Sequence, residues 1–195
     1  MAQFLKEEIR KRIIESAIKE FREKGYDKAS IKNISKGADV AVGNLYRYFE
    51  NKEALLKEVV NPVFKELAQM INTENMLENI DYKSYIFDNL NRFLDLYIDN
   101  KTIFFIVIDG CKGTKTGYII EDFIDMLADN INNLVNKFNT DSCINMYEFS
   151  HALAVAVVQG GISILRNSKD EDVKNNFFQY ISFLMNDFAE RINKI

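Results

Sequence analysis

A chain of 195 residues with 47% hydrophobic and 28% charged residues has the balance of a globular protein of one domain or two small ones, with ample apolar mass for a core. One proline and eight glycines are too few turn residues for an all-β architecture. The net charge of −4 argues at first sight against nucleic acid, yet residues 1–60 carry 13 Lys and Arg against 10 Asp and Glu, and the remainder 12 against 19, a mildly basic start on an acidic body.

The longest apolar runs, IFFIVI at 103–108 and ALAVAVV at 152–158, fall far short of the ~18 residues a membrane span needs. The first residues, MAQFLKEEIRKR, lack the continuous apolar centre of a secretory signal. Cys111 and Cys143 are far apart and neither sits in a CxxC pair. These features predict reduced thiols, a cytoplasmic location and no membrane.

In chain order, residues 3–24 place Leu5, Ile9, Ile13, Ala17 and Phe21 on an i, i+4 stripe, widened by Ile14 and Ile18, with Lys and Glu opposite. Gly25 is a stop signal, and Ser30 stands where the cap of a next helix belongs. SIKNISKGA predicts a short helix burying Ile31 and Ile34. ADV is a tight break, and AVGNLYRYF a second short helix burying Leu45 and Phe49. Asn51 is placed to cap KEALLKEVVNPVFKELAQMI, in which Pro62 should bend or interrupt the helix. Amphipathic helices follow over 81–100, 102–112, 118–138, 144–167 and 170–195, with CKGTKTG as the clearest loop. No period-2 strand pattern, internal repeat or low-complexity tract occurs. The expectation is an all-α chain of about nine helices.

Two short helices joined by a turn too tight for a helical hairpin have the layout of a helix-turn-helix. The second helix of such a pair must bury one side and leave the other free to enter a major groove. Leu45 and Phe49, four apart, supply the buried side, and Val40 plugs the turn. Gly43, Asn44, Tyr46 and Arg47 then face outward, and Gly43 lets backbone approach DNA closely. Tyr46, Arg47 and Tyr48 can donate to phosphates, and Arg47 can also read a guanine edge. Lys52 in the first turn of the next helix, and Ser30 at the start of the preceding one, are candidate phosphate clamps.

The run IIESAIKEFREKGYDKASIKNISKGADVAVGNLYRYFENKEALL resembles the DNA-binding domain of the TetR family of bacterial repressors over about residues 9–57. The resemblance rests on a first helix ending in phenylalanine, then GY, then Ser before the second helix, an LYxYF recognition helix, and KEAL. Two departures stand out. Asp39 occupies a turn position where the family often has Gly, and aspartate tolerates the left-handed conformation better than most residues. Ala41-Val42 replaces a frequent Ser-Lys start of the recognition helix, removing a cap and a cation. Readout at that end is then expected to be apolar, with Ala41 or Val42 against thymine methyls.

The resemblance implies a helix-turn-helix domain over residues 1–50 and a helical ligand-binding and dimerisation domain over 51–195. It also implies release from DNA when a ligand shifts the spacing of the two DNA-binding heads. A dimer has separate support. The last helix carries Phe177, Ile181, Leu184, Phe188 and Ile192 on one stripe, with Phe178, Tyr180, Phe183 and Met185 off it, an arc too wide for one core face. Ala152, Ala154, Ala156, Gly160 and Gly161 on the helix before it allow close helix approach. Ala152, Ala156, Gly160, Phe177, Tyr180, Ile181, Leu184 and Phe188 are therefore the expected interface of a homodimer on an inverted-repeat DNA operator.

The middle helices carry Phe64, Tyr85, Phe87, Phe93, Tyr97, Phe104, Phe105, Phe123 and Tyr147. Together with the single histidine His151, these aromatics other than Tyr85 are the candidate pocket for a hydrophobic or planar small-molecule effector. Any single one of them is also an ordinary core residue. No enzyme signature is present: one histidine excludes a two-histidine metal site, and GxSxG, P-loop and GxGxxG motifs are missing. No cofactor or metal is expected. The competing non-enzymatic reading is a helical protein-interaction module that kept the fold and lost specific DNA binding.

Overall fold

The computed structural model describes residues 2–71, 82–111, 118–138 and 146–192. Among these residues the chain is all-α: nine α-helices, one π-helical turn and no strand. The helices are α1 (Ala2–Lys28), α2 (Ile31–Gly37), α3 (Val42–Leu45), α4 (Lys52–Ile71), α5 (Tyr82–Phe105), α6 (Tyr118–Phe138), α7 (Tyr147–Asn167), α8 (Asp170–Met185) and α9 (Phe188–Ile192). The π-helical turn, Ile106–Gly110, follows α5 directly.

The break expected between helices over 81–100 and 102–112 is present as a kink between two merged helical stretches. α5 runs on past that kink, at Asn100 (φ −123°, ψ 24°), into Phe105 and then the π-helical turn. Pro62 does not divide α4. It lies on the exposed side, where water can take the carbonyl its missing N–H leaves open. The last helix does divide, at Asn186 in extended conformation and Asp187 at φ 51°. Cys143 and residues 112–117 of the CKGTKTG loop lie outside the described residues.

The chain forms two compact units. One comprises Met1–Glu66 with Leu96–Ile120, the other Leu67–Asp95 with Glu121–Ile195. The first unit thus extends past residue 50 and takes in a second, distant segment. Its core is built on α1: Ile13, Ala17 and Phe21 are fully buried, and Ile34, Leu45, Phe49, Leu55, Leu56, Ile106 and Val107 pack in the same cluster. The stripe fades at its start, where Leu5 is 58% exposed. Two close approaches use glycine. Gly25 (φ 72°, ψ 162°) breaks α1 in a conformation other residues rarely adopt, and a Cβ there would lie 3.5 Å from the Gly110 carbonyl oxygen. A Cβ on Gly37 would collide with the Ser16 hydroxyl, which donates to the Ile34 carbonyl at 2.9 Å.

In the second unit α8 lies on α7. Phe177 packs over Gly161, and the Tyr180 hydroxyl donates to the Ala156 carbonyl at 2.6 Å with its ring over Gly160. A side chain on either glycine would hold the two helices apart.

Because Phe21 is wholly enclosed, Phe21→Ala should lower unfolding free energy by about 3–5 kcal/mol. Leu5→Ala, on the same stripe but exposed, should stay within about 0.5 kcal/mol of the parent. Urea denaturation followed by circular dichroism reads both.

Candidate nucleic-acid interface

The turn between α2 and α3 closes by a defined hydrogen-bond pattern. The Asp39 N–H donates to the Lys36 carbonyl at 3.2 Å and the Val40 N–H to the Ser35 carbonyl at 2.9 Å. That pair is a Schellman closure, which needs a left-handed residue just past the helix end. Asp39 supplies it at φ 54°. Val40, the residue after, is half-buried against the core and fixes the exit direction. An aspartate therefore fills the place of a glycine with the turn intact.

α3 is short, but its bonding continues past Leu45. The Arg47 N–H donates to Asn44, and the Tyr48 and Phe49 N–H groups donate to Leu45, at 2.9–3.1 Å. Leu45 is fully buried and Phe49 is 5% exposed. Ala41, Val42, Gly43, Tyr46 and Arg47 are exposed, while Asn44 and Tyr48 are half-buried. Beyond its chain neighbours and the backbone of its own helix, no described atom lies within 4 Å of where a Gly43 Cβ would stand. One helical turn thus carries an apolar face inward and a face of two small residues, a valine, a tyrosine and an arginine outward.

Ser30 and Lys52 have partners within the chain. Ser30 occupies the N-cap of α2, but its hydroxyl makes no capping bond. Its backbone N–H donates to Glu20 Oε1 at 3.1 Å, and the Asn33 amide donates to the same oxygen at 3.0 Å. The Lys52 ammonium turns inward. It donates to the carbonyls of Tyr26 (2.7 Å), Asp27 (3.2 Å) and Ala29 (3.2 Å), and stands 4.5 Å from the Tyr26 ring centre. A cation on the carbonyls that end a helix meets the negative end of its dipole. Burial, and then the Glu53 carboxylate, hold the Tyr26 phenol above its ordinary pKa, so the ring under the ammonium stays neutral. Asn51 caps α4 as expected, its Oδ1 accepting from the Ala54 N–H at 2.8 Å.

The effector candidates divide between the units. In the first, Phe64 packs on the core, and Tyr97, 2% exposed, sits edge-on to Phe104 and Phe105. The Arg22 guanidinium covers the Phe105 ring. In the second, Phe87 stacks on Phe178, Phe93 packs on Phe177, and Tyr147 lies against His151, whose Nε2 is 3.4 Å from Asp125. Phe123 is half-buried. The second unit holds a cavity of about 490 Å³, and none of these nine residues lines it. Its walls include Ile181, Leu184 and Phe188, which the sequence reading gave to a dimer interface. Of the remaining interface candidates, Phe177, Tyr180 and Gly160 pack within the chain, whereas Ala152 and Ala156 are exposed. Among the described residues no group of three or more His, Cys, Asp or Glu gathers as for a metal ion.

Residues 13–59 match the family model described as bacterial regulatory proteins, tetR family, so the resemblance of this segment is borne out. An 87-residue match at 33% identity, 45% of this chain and 44% of the relative, is to IcaR, the negative transcriptional regulator of the biofilm operon icaADBC in Staphylococcus epidermidis. A 63-residue match at 40% identity, 32% of this chain and 22% of the relative, is to the HTH-type transcriptional regulator YuxN of Bacillus subtilis. The chain thus spans less than half the length of these relatives, which are regulators rather than enzymes. The fold extends further. NalD of Pseudomonas aeruginosa, the secondary repressor of the MexAB-OprM efflux pump, superposes with a TM-score of 0.63 at 20% identity, over 90% of this chain and 95% of its own. A TetR-family structure from Syntrophomonas wolfei gives 0.68 at 19% identity, over 95% and 96%.

If Lys52 is a structural clamp, Lys52→Ala should cost about 1–3 kcal/mol of stability, the worth of hydrogen bonds to a charged group. Urea unfolding measures it. An unchanged midpoint with weakened DNA binding would instead place the ammonium on a phosphate.

Proposed function

We propose that this chain, which carries the TetR-type helix-turn-helix in its first unit, is a homodimeric transcriptional repressor that binds an inverted-repeat operator and is released by a small molecule. The single observation that carries the reading is the division of α3 and its extension: Leu45 and Phe49 are buried, while Val42, Gly43, Tyr46 and Arg47 are exposed. A helix entering a major groove requires that second face.

In this reading Arg47 reads a guanine edge or grips a phosphate, and Tyr46 and Tyr48 donate to phosphate oxygens. Val42, 39% exposed, and Ala41 lie against thymine methyls. Ser30 offers its hydroxyl to the backbone of the duplex. Lys32 and Lys36, exposed on α2, add positive charge that the sequence reading passed over. Lys52 acts by fixing where α4 begins.

The dimer is supported by uncovered apolar surface. α7 is by length and composition apolar enough to cross a membrane, yet only 28% of its apolar stretch is buried. Ala152 and Ala156 on α7 are exposed, as is Phe183 of α8, at 78%. A second copy covering these faces removes them from water and sets two recognition helices on successive major-groove turns. Repression follows the relatives, one a negative regulator and one a repressor by description. An effector releases DNA by as much as it prefers the state whose heads no longer fit the operator.

Fluorescence anisotropy with DNA from upstream of the chain's own gene tests the reading. Affinity should fall about 10³-fold or more between 50 and 200 mM salt if six or more phosphates are engaged. It should be lost in the double variant Tyr46→Ala, Arg47→Ala. Equal binding by parent and variant on every fragment would remove the recognition role of α3. Replacing the thymine facing Ala41 and Val42 by uracil should weaken binding, and no change would refute the methyl contact.

A further inference from the structure

The cavity of the second unit, about 490 Å³, lies within the ~300–1,000 Å³ range of small-molecule sites. Six helices contribute to it, among others through Met70, Ile86, Ile131, Leu153, Ile181 and Ile192. Its chemistry is not that of a planar-ligand pocket. Of the seventeen described residues that line it, eleven are Leu, Ile, Val or Met, and three, Tyr85, Phe149 and Phe188, are aromatic. Flexible aliphatic walls suit a flexible aliphatic occupant, since they repack around it without the fixed geometry that ring stacking demands.

The charges select further. Among the described residues no aspartate or glutamate lines the cavity, although residues 61–195 carry 19 acids against 12 bases. A cationic amphiphile would have no counter-charge there, and an unpaired charge in an apolar site is costly. Among the described residues Arg191 of α9 is the one charged residue of the lining. It is exposed, so its head stands at the solvent end. Its Nη2 donates to the Leu184 carbonyl at 2.5 Å, which tethers the guanidinium beside the cavity. A guanidinium has five N–H donors in a planar fork, so others remain for a planar anion.

Resting on the reading of this unit as the effector-binding part, we infer that the cavity takes a long-chain aliphatic carboxylate, its chain between the leucines and isoleucines and its carboxylate on Arg191. Dodecanoate below its micellar concentration is the probe, with dodecan-1-ol and dodecyltrimethylammonium as matched comparisons. Titration calorimetry and thermal shift on the DNA-free full chain give binding. Dodecanoate should bind and raise the melting temperature. The alcohol should bind roughly tenfold or more weakly, the difference expected of a lost charged hydrogen bond. The ammonium compound should not bind.

Arg191→Gln should abolish the preference for acid over alcohol, and Arg191→Lys should keep part of it, which covers the case in which the glutamine variant fails to fold. Leu153→Trp, which fills the cavity, should remove binding of both acid and alcohol. Binding of the ammonium compound as tight as that of dodecanoate, or a preference unchanged in both Arg191 variants, would overturn the inference. So would no binding at all by a protein that still holds its operator, which would leave the regulator reading standing. Dodecanoate that binds but leaves operator affinity unchanged would support the ligand class and overturn ligand-controlled release.

Discussion

A helix of one turn cannot hold itself. Nucleation fixes several residues for a single hydrogen bond, and isolated helices shorter than ~12 residues are marginal in water. α3 therefore exists because Leu45 and Phe49 are gripped by a core that α1 organises. Every exposed side chain on the far side of α3 takes its direction from those two buried ones. The Schellman closure at Asp39 then fixes the approach of α3 to α2, so position and orientation are set by separate devices.

The first unit was largely legible because its signals are local. The i, i+4 spacing of Ile13, Ala17 and Phe21, the Leu45–Phe49 pair, the cap at Asn51 and the left-handed aspartate are each written within a few residues, and each appears in the structure. The inward placement of Lys52 was not legible, for the opposite reason. Its partners are the carbonyls of Tyr26, Asp27 and Ala29, and carbonyls leave no trace in a residue pattern. The end of the Leu5 stripe was hidden in the same way. Periodicity marks which face could be buried, but not how far the neighbouring elements extend to cover it.

The second unit was less legible because its cavity is made by absence. A cavity is where side chains fail to meet, and a count of aromatics selects the residues that pack best. Phe87, Phe93 and Tyr147 each found an aromatic or histidine neighbour. The space was left among aliphatic residues from six helices, several at the break around Asp187 that periodicity had smoothed over. The small size of the glycines was legible. Gly160 and Gly161 do permit close approach, but the group admitted is Tyr180 and Phe177 of the same chain.

The Lys52 clamp joins residues 26 apart in sequence, so it closes the chain into a ring without a covalent bond. Everything between its ends, including α2, the turn and α3, is a loop tied at its base. Closing a loop in advance removes conformational freedom that the open chain would otherwise keep, and the saving depends only weakly on what the loop contains. The helix pair is thus a cassette. Its outward residues can be exchanged for others while the knot that holds it stays the same.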